Sequence, residues 1–209
     1  MHGRARGGAL YQQPWRMKTA NGAYRFTIFT FGVMGFLLAG CYWAFRFEWG
    51  YYRNRESIEA AAIRYQVPAK LIAAVIWQET RFNPLCRGAA GEIGYMQIMP
   101  GSAREWAKIE HISSFGSENL FDPGTNILAG TWYLGRAIKR WNNQADPLPY
   151  ALAEYNAGRS NALRWDRINT LNTQEFTNVI SYPTTRAYVK TVLRNYRSFG
   201  QPWKRWGKD

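Results

Sequence analysis

Pro68-Ala69-Lys70-Leu71-Ile72-Ala73-Ala74-Val75-Ile76-Trp77-Gln78-Glu79-Thr80-Arg81-Phe82-Asn83-Pro84 is the stretch from which the rest of this chain is best read. Pro68 suits the first turn of a helix, where its missing N–H is one that a helix start leaves unpaired in any case. Leu71, Val75 and Glu79 follow at i, i+4 and i+8, which puts them on one helix face. An acid at the end of an apolar stripe points where its neighbours exclude water. Desolvation disfavours its charged form and raises its pKa, which suits a general acid.

Helical signals continue on both sides. Upstream, Ile58, Ala62 and Tyr65 mark an amphipathic helix that Pro68 ends, two residues after Gln66. Downstream, Ser102 and Glu105 form a capping-box pattern ahead of Trp106 and Ile109. Asp122-Pro123 reads as a cap followed by proline in the first turn. It opens a helix carrying Ile127, Thr131, Leu134, Ile138 and Trp141. Another helix holds Tyr150 to Asn156 and stops at Gly158. The last begins near Thr184 and carries Tyr188, Val189, Val192, Leu193, Tyr196 and Phe199. The one strand signal is Gly91 to Met99, an extended run punctuated by glycines. The expected fold is all-α, a single domain over 55–200 large enough to bury a core. Residues 46–54 read as a short linker before it, and 201–209 as a basic tail.

The segment 26–45, from Phe26 to Phe45, contains no charge. As a helix it spans about 30 Å, the thickness of a bilayer core. The basic segment 1–25 supplies Arg4, Arg6, Arg16, Lys18 and Arg25 upstream, which predicts an N-terminus inside and the rest of the chain outside. Tyr42, Trp43, Phe45, Phe47, Trp49, Tyr51 and Tyr52 then read as an interfacial aromatic belt. A competing reading uses the same residues. Leu38-Ala39-Gly40-Cys41 resembles a bacterial lipobox, whose cysteine is lipidated and becomes the new N-terminus. The residues after Cys41 stay aromatic instead of turning polar, which speaks for the uncleaved transmembrane helix. Both readings tether the domain to a bilayer, outside the cytoplasm.

The chain of 209 residues has a formal net charge of +13, which invites an anionic partner: nucleic acid, lipid or a wall polymer. Up to Arg53 there are seven bases against one acid, so +6 of that charge accompanies the apolar segment and +7 remains for the domain. Arg136, Lys139, Arg140, Arg159, Arg164 and Arg167 could serve phosphates. A domain exported past a membrane rarely meets DNA, so no nucleic-acid partner is expected. Cys41 and Cys86 are too few for a disulfide scaffold, and His2 and His111 lie in contexts unsuited to metal.

Four strings in order carry a more specific resemblance. Ile76 to Pro84 is similar to the catalytic-helix motif of the lytic transglycosylases with an SLT domain. Gly91-Glu92-Ile93-Gly94-Tyr95-Met96-Gln97-Ile98-Met99-Pro100 resembles their glycine-bracketed Met-Gln motif. Ala153-Glu154-Tyr155-Asn156-Ala157-Gly158 is similar to the third motif, and Arg186-Ala187-Tyr188-Val189 to the last. The resemblance implies a goose-type lysozyme-like fold and peptidoglycan as substrate. It makes Glu79 the single catalytic acid/base, with Gln97 and Met99 lining the glycan cleft. It implies that the Tyr155 hydroxyl orients the catalytic carboxyl and the sugar, with Asn156 in support. Two positions depart from the pattern: Gly88 stands where a serine is frequent, and Thr184 where an acid is usual.

Hydrolytic glycosidases generally use two carboxylates. Within the matching strings, Glu79 is the one acid at a catalytic position. Glu92 sits in the glycine loop and is expected to be solvated, while Glu154 points about 100° away from Tyr155 on its helix. The expected reaction is therefore non-hydrolytic. Glu79 protonates the β-1,4 oxygen between N-acetylmuramic acid and N-acetylglucosamine, then takes the proton of the muramyl 6-hydroxyl as it closes a 1,6-anhydro ring. No cofactor or metal is expected. The rival readings are a hydrolytic goose-type lysozyme and a non-catalytic peptidoglycan-binding protein.

Overall fold

A computed structural model describes residues 21–172 and 175–199. The expected bases Arg4, Arg6, Arg16 and Lys18 and the expected tail 201–209 lie outside the described residues. The chain divides into two units, Met1–Cys41 and Tyr42–Asp209.

Helix α1 (Asn21–Arg53) accounts for the described part of the first unit. Phe26, Phe29, Phe36 and Leu38 are all exposed on it. Among the described residues it is the one helix long and apolar enough to cross a membrane.

The second unit begins with the last turns of α1 and continues with α2 (Arg55–Tyr65), α3 (Ala69–Thr80) and α4 (Pro100–Ile109). A 3₁₀ turn (Ser117–Phe121) then leads into α5 (Pro123–Arg140). It is followed by α6 (Leu148–Ala157), α7 (Arg159–Asn172), α8 (Phe176–Val179) and α9 (Pro183–Arg197). The fold is all-α, as expected. Gly91 to Met99 holds only isolated bridges, Ile93 with Arg87 and with Ile98. Helix α3 packs against α2 and α9. Leu71 through Ile76 are all fully buried, so this helix is apolar around its whole circumference and the stripe is one side of a core helix.

The stretch 46–54, expected as a linker, is helical to Arg53, and its aromatic residues divide by helical spacing. Phe47 and Tyr51, four apart, are buried in the domain core, whereas Phe45, Trp49 and Tyr52 are exposed. The Phe47 ring packs edge-on against Trp77 at 5.4 Å and Phe199 at 5.4 Å. Two of the seven residues of the expected belt, Phe47 and Tyr51, are therefore core.

Asp122 caps α5 as predicted, accepting the Thr125 N–H at 2.7 Å. Helix α4 opens at Pro100, ahead of the predicted Ser102 cap, because proline already fits the first turn there. Glu105, the expected capping partner, instead pairs with Arg136 of α5 at 2.6 Å. Helix α7 is absent from the sequence reading. Its fully buried residues are Ala162 and Trp165, too short an apolar pattern to announce a helix among so many polar neighbours. Gly158 (φ +83°) breaks α6 and lets α7 restart at once.

Candidate active site

Glu79 is the penultimate residue of α3. The helix stops because Arg81 (φ 55°) and Phe82 (φ 61°) are both left-handed. Two consecutive non-glycine residues in that region cost roughly 1–3 kcal/mol each, so surrounding contacts must hold them. Those contacts are aromatic. The Arg81 guanidinium lies 4.7 Å from the centre of the Trp77 ring, and Phe82 meets Tyr95 at 5.8 Å and Phe47 at 6.3 Å. The turn carries the chain from α3 into the glycine loop.

That loop is tied down at successive backbone atoms. The Asn126 amide, fully buried on α5, donates to the carbonyls of Ile93 and Leu120 at 2.8 Å each and accepts the Met96 N–H at 2.8 Å. Thr80, next to Glu79, donates its hydroxyl to the Tyr95 carbonyl at 3.0 Å. Tyr155 on α6 donates to the Met96 carbonyl at 2.7 Å. Gly94 (φ +73°) has no room for a side chain, since a Cβ would come within 2.3 Å of the Leu120 carbonyl. At Gln97 (φ 47°) the side chain folds back, donating Nε2 to the carbonyls of Gly94 at 2.9 Å and Cys86 at 3.3 Å.

Burial pushes the Glu79 carboxyl up to about 7; the Tyr188 hydroxyl acts in the opposite direction, and the charge of Glu92 adds to the rise. Near neutrality a large part of Glu79 therefore carries its proton. The Tyr188 hydroxyl is buried and meets no partner at full hydrogen-bond geometry, although Glu79 is close enough to interact with it. We take this contact as longer or less aligned than a hydrogen bond, as catalytic contacts often are before substrate arrives. Burial raises both Tyr155 and Tyr188 well above the usual tyrosine range, and the charge of Glu79 raises them further. Both stay neutral donors beside the acid.

Tyr155 is close enough to feel the Glu79 charge, and through the Met96 carbonyl it holds the loop that carries Gln97. The Tyr188 hydroxyl lies close to the Glu79 carboxyl, while that of Tyr155 donates to the Met96 carbonyl and still feels the Glu79 charge. Met99 (43% exposed) and Asn156 are open to solvent, and no hydrogen bond among the described residues ties them to Glu79. Glu154 is buried, paired with Arg140 and bonded to the Trp141 indole N–H at 2.8 Å, so it serves the core. Glu92 is half-buried, not freely solvated as expected, and accepts the Ala90 N–H at 3.0 Å.

Sequence reasoning did not assign site roles to Tyr188, Asn126 and Thr80. Tyr188 stands inside the quoted last motif, and its apolar helical spacing masked it as core. Asn126 is a polar residue on the buried side of α5, a signal that becomes meaningful once its three backbone partners are known.

Of the six bases considered for phosphates, three are engaged within the domain. Arg136 pairs with Glu105 and lies 4.5 Å from the Trp132 ring centre, Arg140 pairs with Glu154, and Arg164 donates to Asn161 at 2.9 Å. A cavity of about 700 Å³ lined by Gln144, Tyr150, Thr177, Lys190 and Arg194 holds none of the predicted site residues. Among the described residues no group of three His, Cys, Asp or Glu side chains is placed to hold a metal ion.

Residues 56–178 match the family model described as Transglycosylase SLT domain. The chain is 34% identical over 131 residues to the soluble lytic murein transglycosylase of Escherichia coli (strain K12), covering 61% of this chain and 20% of that protein. It is 38% identical over 109 residues to membrane-bound lytic murein transglycosylase F of Desulfosudis oleivorans, covering 51% of this chain and 22% of that one. The fold is similar to the X-ray structure of an inactive glutamate-to-glutamine mutant of lytic transglycosylase Slt from Pseudomonas aeruginosa. The TM-score is 0.62 at 27% identity, covering 71% of this chain and 24% of that one. The chain therefore spans about a quarter or less of each of these proteins.

Proposed function

This chain belongs to the transglycosylase SLT domain family, and we propose that it cleaves peptidoglycan non-hydrolytically, with Glu79 as the single acid/base. The observation that carries this reading is a largely buried carboxyl at the end of α3, raised to about 7 by that burial, with Tyr155 and Tyr188 close enough to feel its charge. Protonated Glu79 gives its proton to the β-1,4 oxygen between N-acetylmuramic acid and N-acetylglucosamine, and that C–O bond breaks. The 2-acetamido group shields the positive charge developing at C1. Glu79, now a carboxylate, removes the proton of the muramyl 6-hydroxyl, whose oxygen closes onto C1 as the 1,6-anhydro ring. The acid ends protonated as it began, and no water enters. Gln97, Met99, Tyr155 and Asn156 line the glycan side.

The engagement of Glu154 with Arg140 and Trp141 supports the single-acid route. One observation favours a second reading, hydrolysis: the charge of Glu92 reaches Glu79, so a second carboxylate is nearby. Incubation of the chain with purified sacculi and mass analysis of the products separates the two. Anhydromuramyl ends that disappear in Glu79→Gln support the first reading; reducing ends with an added water sink it.

The apolar run 26–45 supports a membrane anchor with the domain on the extracytoplasmic side. Mass spectrometry of the membrane-extracted protein distinguishes an intact helix from a chain that begins at an acylated Cys41.

A further inference from the structure

Position 88 has no side chain, and the space one would fill is already taken. A Cβ on Gly88 would lie 2.1 Å from Oε2 of Glu92 and 2.8 Å from Oε1 of Gln97. These two oxygens both lie within 3 Å of a single point, and both are acceptors. The Gln97 amide cannot turn its NH₂ there, because Nε2 is held at the opposite end by the Gly94 and Cys86 carbonyls. The Glu92 carboxylate is drawn over the loop by the Ala90 N–H at 3.0 Å. Beneath it the Gly88 N–H donates to the Glu92 carbonyl at 2.8 Å and the Gly91 N–H to the Gly88 carbonyl at 3.1 Å, which closes the loop. An ionised carboxylate offers about four acceptor sites, and Ala90 uses one. Two acceptors turned towards one point, one of them charged, need a donor between them. Both side chains are only half-buried, so water can serve in the free protein.

We propose that Glu92 is a substrate-binding residue whose carboxylate, with the Gln97 amide oxygen, clamps hydrogen-bond donors of the glycan over Gly88. The donors are sugar hydroxyls and acetamido N–H groups. The inference rests on the peptidoglycan reading for its ligand. The clamp has a second effect through its charge. The titratable groups acting on Glu79 are Glu92 from the loop, Tyr155 from α6 and Tyr188 from α9, and of these Glu92 favours the protonated acid. The residue that grips the sugar thus also adds to the effect of burial, which keeps the proton on its neighbour.

The test uses the 209-residue chain in detergent, as wild type, Glu92→Ala, Glu92→Gln and Gly88→Ala. Binding of an N-acetylglucosamine tetramer is read by calorimetry and cleavage of sacculi by product mass across pH. Glu92→Ala should weaken tetramer binding and raise KM about tenfold, the loss of one charge-assisted hydrogen bond. Gly88→Ala, whose methyl group displaces the carboxylate, should weaken binding in the same direction. Both Glu92 variants should move the alkaline limb of kcat/KM to lower pH, which a merely structural role would not do. Wild-type affinity together with a wild-type limb in Glu92→Ala overturns the proposal. So does a switch in which Glu92→Gln abolishes reducing-end products made by the wild type, because Glu92 would then be a base. Calorimetry does not depend on cleavage. Tetramer binding that falls in Glu92→Ala, with no anhydro ends from the wild type, would count against the reaction assigned and still support the clamp.

Discussion

Phe82 lies against the place where Gly50 has no side chain: a Cβ on Gly50 would come within 2.3 Å of the Phe82 ring carbon Cδ2. Phe82 is three residues from Glu79 and is part of the left-handed turn that ends α3. The last turns of α1 are therefore part of what positions the acid. A chain starting at Arg55 should be far less stable than one starting at Tyr42, because it loses the fully buried Phe47 ring. Phe47→Ala alone should cost about 3–5 kcal/mol by urea unfolding. Gly50→Ala should cost about 1–3 kcal/mol by overpacking and lower activity along with stability. Equal unfolding midpoints for the two truncations would contradict this view.

The same residues show how far the sequence could be read. The helices with long apolar spacing and a proline or glycine near one end, α3, α5, α6 and α9, are legible because burial follows a period that the sequence prints. The packing of α1 was not, because Phe47 and Tyr51 have the same chemistry as the exposed Trp49 and Tyr52. Only the helical register separates an aromatic face that meets a core from one that does not. At the site, Glu79 was legible as an acid ending a buried stripe. The placing of Tyr155 and Tyr188 beside it was not, since both fall on helices whose relative placement no local pattern encodes.

Glu79→Gln should abolish cleavage, a loss of at least 10²–10⁴-fold for a missing general acid, with the fold intact by circular dichroism. It should also change the pH dependence of stability. Burial holds the folded Glu79 carboxyl up at about 7, against 4.5 for an ordinary glutamate. Native Glu79 binds its proton more tightly, so the full stability is present below about 4.5 and is lost as pH rises through about 7. The variant should therefore unfold later than wild type at about pH 8, by up to about 3 kcal/mol before solvent screening, with the gap closing towards about pH 4.5. A gap that is constant with pH would argue against a raised Glu79.

Asn126→Ala removes three backbone partners at once, at Ile93, Leu120 and Met96. Each backbone group left buried and unpaired costs about 1–3 kcal/mol, partly recovered if water enters the gap. A loss of roughly 2–5 kcal/mol in urea unfolding is expected, together with faster amide exchange at Met96. Asn126→Asp should rescue the bond from the Met96 N–H but not the two donated bonds. A wild-type midpoint in Asn126→Ala would mean that the loop is held elsewhere.

Tyr188→Phe tests the sign of the one contact that opposes burial at the acid. The hydroxyl favours the charged form of Glu79, whereas Glu92 favours the neutral one. Removing the hydroxyl should raise the Glu79 pKa above about 7 and carry the alkaline limb of kcat/KM to higher pH. The Glu92 variants should move the same limb the other way. Stability should rise slightly or stay level, because the hydroxyl is buried without a well-formed partner in the free protein. The rate on the plateau should fall, since a tighter-held proton is a weaker acid and the returning carboxylate loses its donor. The two shifts are independent readings of one group, so a double variant, Tyr188→Phe with Glu92→Gln, should bring the limb back towards its wild-type position. Limbs that move in the same direction in the two single variants would show that neither residue acts through Glu79.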